Sequence, residues 1–185
     1  MKRLRVKLAL AVVAAGALAI GIVAVAVAGG GHSIRAKLTG YQETPALSTT
    51  GTGKFRASIN DAAHEIHYQL SYSGLESPVT QAHIHFENRT NAGPIVVFLC
   101  TNLGNGPAGT QACPPGGGTI SGTITAANVG AGAASQGLAA GEFDEFVRAI
   151  RAGATYVNVH TNVRMAGEIR AQLEHNKHGG KGGKD

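Results

Sequence analysis

The chain has 185 residues, of which 27 are glycine, about twice the usual share, with only 6 prolines and no tryptophan. Without a Gly-X-Y period it is no collagen, and at 43 % hydrophobic and 15 % charged residues it is too apolar to be disordered throughout. The formal charge of +5 sits at the two ends, because residues 33–174 hold nine basic and ten acidic side chains; a near-neutral domain with few aromatics argues against nucleic acid as a partner.

In chain order, Lys2, Arg3, Arg5 and Lys7 precede an unbroken apolar run from Leu8 to Ala28 that ends in Ala26-Val27-Ala28. Residues 1–28 therefore read as a signal peptide cleaved after Ala28, or as a retained single-span membrane anchor, since the run is long enough to cross a bilayer. Either outcome exports the residues beyond Ala28, so the expected location is secreted or cell-envelope, with membrane contact only through this segment if it is uncleaved. A buried core helix is a poor alternative for a stretch with no polar face.

From Ile34 the pattern is that of short strands separated by Gly, Pro, Asn and Ser clusters. Strands are predicted at 34–39, 53–59, 65–72, 81–86, 95–99, 119–124, 156–160 and 168–173. In His64-Glu65-Ile66-His67-Tyr68-Gln69-Leu70-Ser71-Tyr72, apolar and polar residues alternate with the period of a half-buried strand. One helix is predicted over 141–153, where Phe143, Phe146, Val147 and Ile150 form a single apolar stripe, acids crowd its start and arginines its end. Residues 125–141 have little side-chain volume and read as a crossover loop. The expected fold is all-β, an antiparallel sandwich or barrel of about eight strands with one short covering helix, over residues 34–174. Residues 175–185 form a polar, glycine-rich basic tail in which His175 and His178 resemble a loose metal-binding tag.

Cys100 and Cys113 are the two cysteines. In an oxidising compartment such a pair most simply forms a disulfide, and closing a loop of about 14 residues constrains the unfolded chain by roughly 3 kcal/mol. No CxxC spacing supports the competing two-cysteine metal site.

The histidines are unevenly placed. His83 and His85 lie two apart on one predicted strand and so share a face; Tyr156, Asn158 and His160 share a face of another. If those strands are neighbours, three imidazoles converge into the ligand set of an open copper or zinc site. The competing reading is a half-buried structural cluster whose rings bond to backbone, Asn158, Tyr156 or Glu168. His64 and His67, three apart, are expected on opposite strand faces. No catalytic residues emerge: there is no G-x-S-x-G, no motif links Glu43, Glu87 and Glu168 into an acid pair, and Glu43 and Glu168 read as bridges between strand ends. The glycine runs at 104–109 and 116–118 do not open a helix with Lys-Ser/Thr and are not phosphate loops.

Several motifs in fixed order resemble the CHRD (chordin-type) domain: Leu38-Thr39-Gly40 with Gln42-Glu43-Thr44-Pro45, Thr80-Gln81-Ala82-His83-Ile84-His85, Asn91-Ala92-Gly93-Pro94-Ile95-Val96-Val97, Gly118-Thr119-Ile120-Ser121-Gly122-Thr123-Ile124-Thr125, and Tyr156-Val157-Asn158-Val159-His160-Thr161 followed by Gly167-Glu168-Ile169-Arg170-Ala171-Gln172-Leu173. The resemblance spans roughly residues 34–174, with departures at Ala171 and at Arg164-Met165-Ala166. It implies a β-rich extracellular domain with one helix, and no established reaction. A non-enzymatic binding or structural module at the cell envelope, with an extracellular protein or envelope ligand as partner, is the first functional expectation. A copper- or zinc-binding protein using His83, His85 and His160 is the second. The H-x-H strand also looks like that of copper-zinc superoxide dismutase, but that enzyme's six histidines and aspartate in fixed order are not matched here.

Overall fold

A computed structural model describes residues 32–174. The N-terminal apolar segment and the basic tail with His175 and His178 lie outside the described residues. Eight antiparallel strands form one sheet: β1 (His32–Thr39), β2 (Thr52–Asn60), β3 (Glu65–Ser73), β4 (Val79–Phe86), β5 (Ile95–Thr101), β6 (Gly118–Ile124), β7 (Thr155–Thr161) and β8 (Ile169–Leu173), in the order β5-β4-β7-β8-β1-β2-β3-β6. The sheet curls into a nearly closed barrel. Every predicted strand is present, with ends differing by at most two residues.

Alternation places the apolar face inside. Phe55, Ala57 and Ile59 of β2 lie opposite Leu70, Tyr68 and Ile66 of β3, while Val157 and Val159 of β7 lie between Ile84 and Ala82 of β4 on one side and Ala171 and Ile169 of β8 on the other. These residues belong to one continuous core. The helix α1 (Phe143–Arg151) adds Phe143, Phe146, Val147 and Ile150 to it. Arg151 pairs with Asp61 at 2.8 Å in the β2–β3 turn, and Ala154 just beyond α1 accepts a bond from Glu87 at the end of β4, so the helix stoppers one end of the barrel. Gly153, at φ +70°, turns the chain out of α1. Among the described residues, no helix is long and apolar enough to cross a membrane.

The segment expected to be a crossover loop contains two short 3-10 turns, Ala126–Asn128 and Ala131–Gln136, laid along the free edge of β5. Gly130 donates to Val96 O, and a Cβ on Gly132 would stand 2.0 Å from Ile95 O. The small residues there permit backbone-to-backbone approach, which shields an otherwise unpaired strand edge.

The barrel's seam lies between its edge strands. The Gln111 side-chain amide donates to Leu99 O on β5 at 3.1 Å and to Ser121 O on β6 at 3.2 Å. Tyr68 Oη, itself a partner of Gln111, also donates to Leu99 O. Cys100 on β5 is joined to Cys113 by a disulfide, which holds the loop carrying Gln111 against the seam. Cys100→Ser is expected to lower the unfolding free energy by roughly 3 kcal/mol. Thermal unfolding under non-reducing conditions checks this; an unchanged Tm would mean that the seam holds without the bond.

The two halves of the sheet treat their outer faces differently. On β2 and β3 the outward residues are largely exposed, which gives a regular alternation with the buried positions. Every residue of β7 and β8 is buried, and nearly every one of β4. Here the outer face carries His83, His85, Tyr156, Asn158, His160, Arg170 and Gln172, and the loops spanning residues 40–50, 87–94 and 162–168 fold over it.

A buried three-histidine site on the outer face

The pairing of β4 with β7 sets Gln81 opposite His160, His83 opposite Asn158 and His85 opposite Tyr156. His160 is thus the diagonal neighbour of His83 on the same face, a separation that long side chains bridge. The ring centroids are 5.0 Å apart for His83 and His160, 5.5 Å for His83 and His85, and 5.9 Å for His85 and His160. One nitrogen from each ring lies within 4.8 Å of the other two, and all three residues are buried.

Hydrogen bonds fix the protons. His85 Nδ1–H donates to Gly93 O at 2.8 Å and His160 Nδ1–H donates to Met165 O at 2.9 Å. Each of these two rings therefore presents an Nε2 lone pair. That of His160 lies 3.2 Å from His83 Nδ1, while among the described residues that of His85 has no partner, and neither does His83 Nε2. Unpartnered buried nitrogens are costly and call for an explanation. The protonated form of each ring is disfavoured: burial first, then the neighbouring imidazoles, pull His83 down to about 2. Burial pulls His85 down to about 4, opposed by its bond to Gly93, and burial also lowers His160. The three rings are neutral at pH 7, the form that ligates metals.

The surroundings hold the rings in place. His85 is stacked on Tyr156 with centroids 4.7 Å apart, and Gly93 N donates to Tyr156 Oη, so Gly93 grips both members of the stack. Phe98 stands edge-on to His83 at 4.4 Å. The Arg170 guanidinium sits over the Tyr156 ring, 3.4 Å from its centroid. Arg170 donates to Asn88 O, Asn91 O and Thr44 Oγ1, and Gln172 donates to Glu87 O and Gly153 O. These two side chains tie the covering loops to β8.

The other candidate residues behave variously. Glu168 is fully buried and bridges three elements, accepting from the Thr49 and Thr161 hydroxyls and from Glu76 N. Glu43 accepts from Asn158 Nδ2, and burial pushes it up to about 7 despite Arg170 and Asn158. Glu87 is near Asn88 and Gln136, apart from both. His64 and His67 do stay apart, although the reason differs from the one expected: His64 occupies a turn at φ +52° beside Asp144, and β3 begins after it. His67 is exposed on β3 and contacts Thr123. Arg170 and Gln172 are site residues that lie in the Gly167–Leu173 motif but that the sequence alone does not single out as candidates. Their alternation with Ile169, Ala171 and Leu173 is visible along the chain, but it indicates an outer face without saying that loops bury it.

The fold and the site together define a disulfide-stapled antiparallel barrel that carries a buried three-imidazole cluster on its sheltered outer face. The CHRD domain family matches residues 34–173, and the chain belongs to that family. No curated protein and no solved structure matches the chain.

Proposed function

We propose that this CHRD domain is an exported, non-enzymatic module that binds a single transition-metal ion, copper or zinc, through His83, His85 and His160. The observation that carries the reading is the anchoring of two rings by backbone carbonyls, which leaves the Nε2 of each free, in a cluster where one nitrogen of each of the three rings lies within 4.8 Å of the other two. Metal-ligating histidines characteristically have this outer arrangement, which sets the tautomer before the ion arrives. The donors also fit in scale: two nitrogens on one tetrahedral ion at 2.0–2.1 Å lie about 3.3 Å apart, and His83 Nδ1 and His160 Nε2 are 3.2 Å apart. An ion between them replaces that hydrogen bond, with the His83 proton moving to Nε2.

Elemental analysis of the untagged full chain, with His175→Ala and His178→Ala removing the tail imidazoles, tests the proposal. About one ion per chain is expected, lost on His85→Ala while far-UV circular dichroism stays unchanged. A chain that folds, is given copper and zinc in turn and retains neither overturns it.

Export is supported by the N-terminal basic and apolar pattern and by the disulfide, which persists in oxidising compartments. Fractionation of cells expressing the full chain checks it; recovery in the cytosol with reduced cysteines is the contrary result.

A further inference from the structure

We infer that the three-histidine pocket takes a monovalent soft cation, reduced copper, in preference to zinc or oxidised copper. This rests on the metal-binding reading above and adds the charge of the ion. The donor set is the first observation. No aspartate, glutamate or cysteine joins the three rings in the cluster, so every protein ligand among the described residues is neutral. His83, His85 and His160 are 0 %, 7 % and 6 % exposed, which leaves little water to share the charge of an ion. The solvation cost of burying a charge grows with its square, so a dication held by these rings alone costs about four times as much as a monocation. Neutral imidazoles return none of that as ion-pair energy.

The second observation is Arg170, which is independent of the rings. Its guanidinium lies over Tyr156 at 3.4 Å, and Tyr156 in turn is stacked on His85. Its hydrogen-bond partners are backbone carbonyls, the Thr44 hydroxyl and the Gln172 amide oxygen, all neutral. Glu43 and Glu87 are close enough to act on it electrostatically, but neither is hydrogen-bonded to it, and Glu43 is bonded to Asn158. A fixed positive charge thus stands behind the wall of the pocket without a carboxylate hydrogen-bonded to it, and it repels a dication twice as strongly as a monocation.

Coordination number agrees with charge. Zinc takes four ligands and oxidised copper a tetragonal set, so both need at least one donor beyond these three, which in a buried cluster a water must reach. Reduced copper, a closed-shell ion with no such geometric demand, is satisfied by three nitrogens in a plane. The pocket supplies three.

The test is anaerobic competition of the full chain, carrying the two tail substitutions, against chromophoric chelators for Cu(I), Cu(II) and Zn(II) separately. Cu(I) is expected to bind about 100-fold more tightly than zinc, and X-ray absorption at the copper edge is expected to show three nitrogen donors and no sulfur. Zinc or Cu(II) binding as tightly as Cu(I), or a fourth protein donor on the copper, overturns the inference while leaving the metal site itself intact. Failure of all three ions to bind removes the metal-binding reading and this inference with it.

Discussion

Acidification of the metal-free protein from pH 7 to pH 4 is expected to lower its unfolding free energy by roughly 3 kcal/mol net. In the unfolded chain the histidines have the ordinary value of 6.5, whereas in the fold His83 is held down to about 2, His85 to about 4, and His160 is lowered as well. Below pH 6.5 the unfolded state takes up protons that the folded state refuses. Their contribution is present above 6.5 and is lost as pH falls through this window, down to about 4 for His85 and further for His83. Glu43 acts in the opposite sense. Raised from 4.5 to about 7, it holds a proton in the fold that the unfolded chain releases, so its contribution is full below 4.5 and is lost as pH rises through 7. Three rings outweigh one carboxyl. Urea unfolding across pH 4–8 measures the slope, and Glu43→Gln is expected to deepen the acid-side fall by removing the opposing group. Stability that is flat or rising on acidification would show that the rings are not buried in the neutral form.

Arg170→Met is expected to cost about 3–5 kcal/mol, among the largest effects of any single substitution in the domain. Arg170 heads the largest fully buried side chains, at 1 % exposure. Methionine fills part of its volume and leaves Asn88 O and Asn91 O without their donor, each an acceptor whose loss of partner costs about 1–3 kcal/mol. It also strips the cation from the Tyr156 ring. The loop spanning 87–94 then keeps only the Gln172–Glu87 tie to β8 at its start, and the position of Gly93 O against His85 Nδ1 and of Gly93 N against Tyr156 loosens. Hydrogen exchange at Gly93 should accelerate, and metal affinity should fall by about 10–100-fold through the loosened carbonyl. A change below about 1 kcal/mol with Gly93 still protected would mean that the covering loops are held by other contacts.

Much of this architecture is legible along the chain, because strand and helix periods are local properties. Ile66, Tyr68, Leu70 and Tyr72 declare a strand with one face buried, and Phe143, Phe146, Val147 and Ile150 declare a helix with one buried stripe, whatever the neighbours prove to be. The H-x-H of His83 and His85 likewise guarantees two rings on one face. The cysteine pair, thirteen apart across a loop of turn residues, foretells its disulfide.

Local pattern thus dictates the strands, the helix, the side of each strand that turns inward and the company of His83 with His85. Only the closed fold sets β4 beside β7, which joins His160 to His83 across 77 residues of chain, and only there do three loops bury a polar face that alternation marks merely as outward. The reason is physical. Backbone stereochemistry and hydrophobic period act over a few residues, whereas strand order and loop coverage arise from closing one sheet on itself, a condition that no short stretch of sequence contains. Arg170 shows the difference most plainly: one more polar residue in an alternating strand, it becomes the buried cation that fastens the lid over three imidazoles.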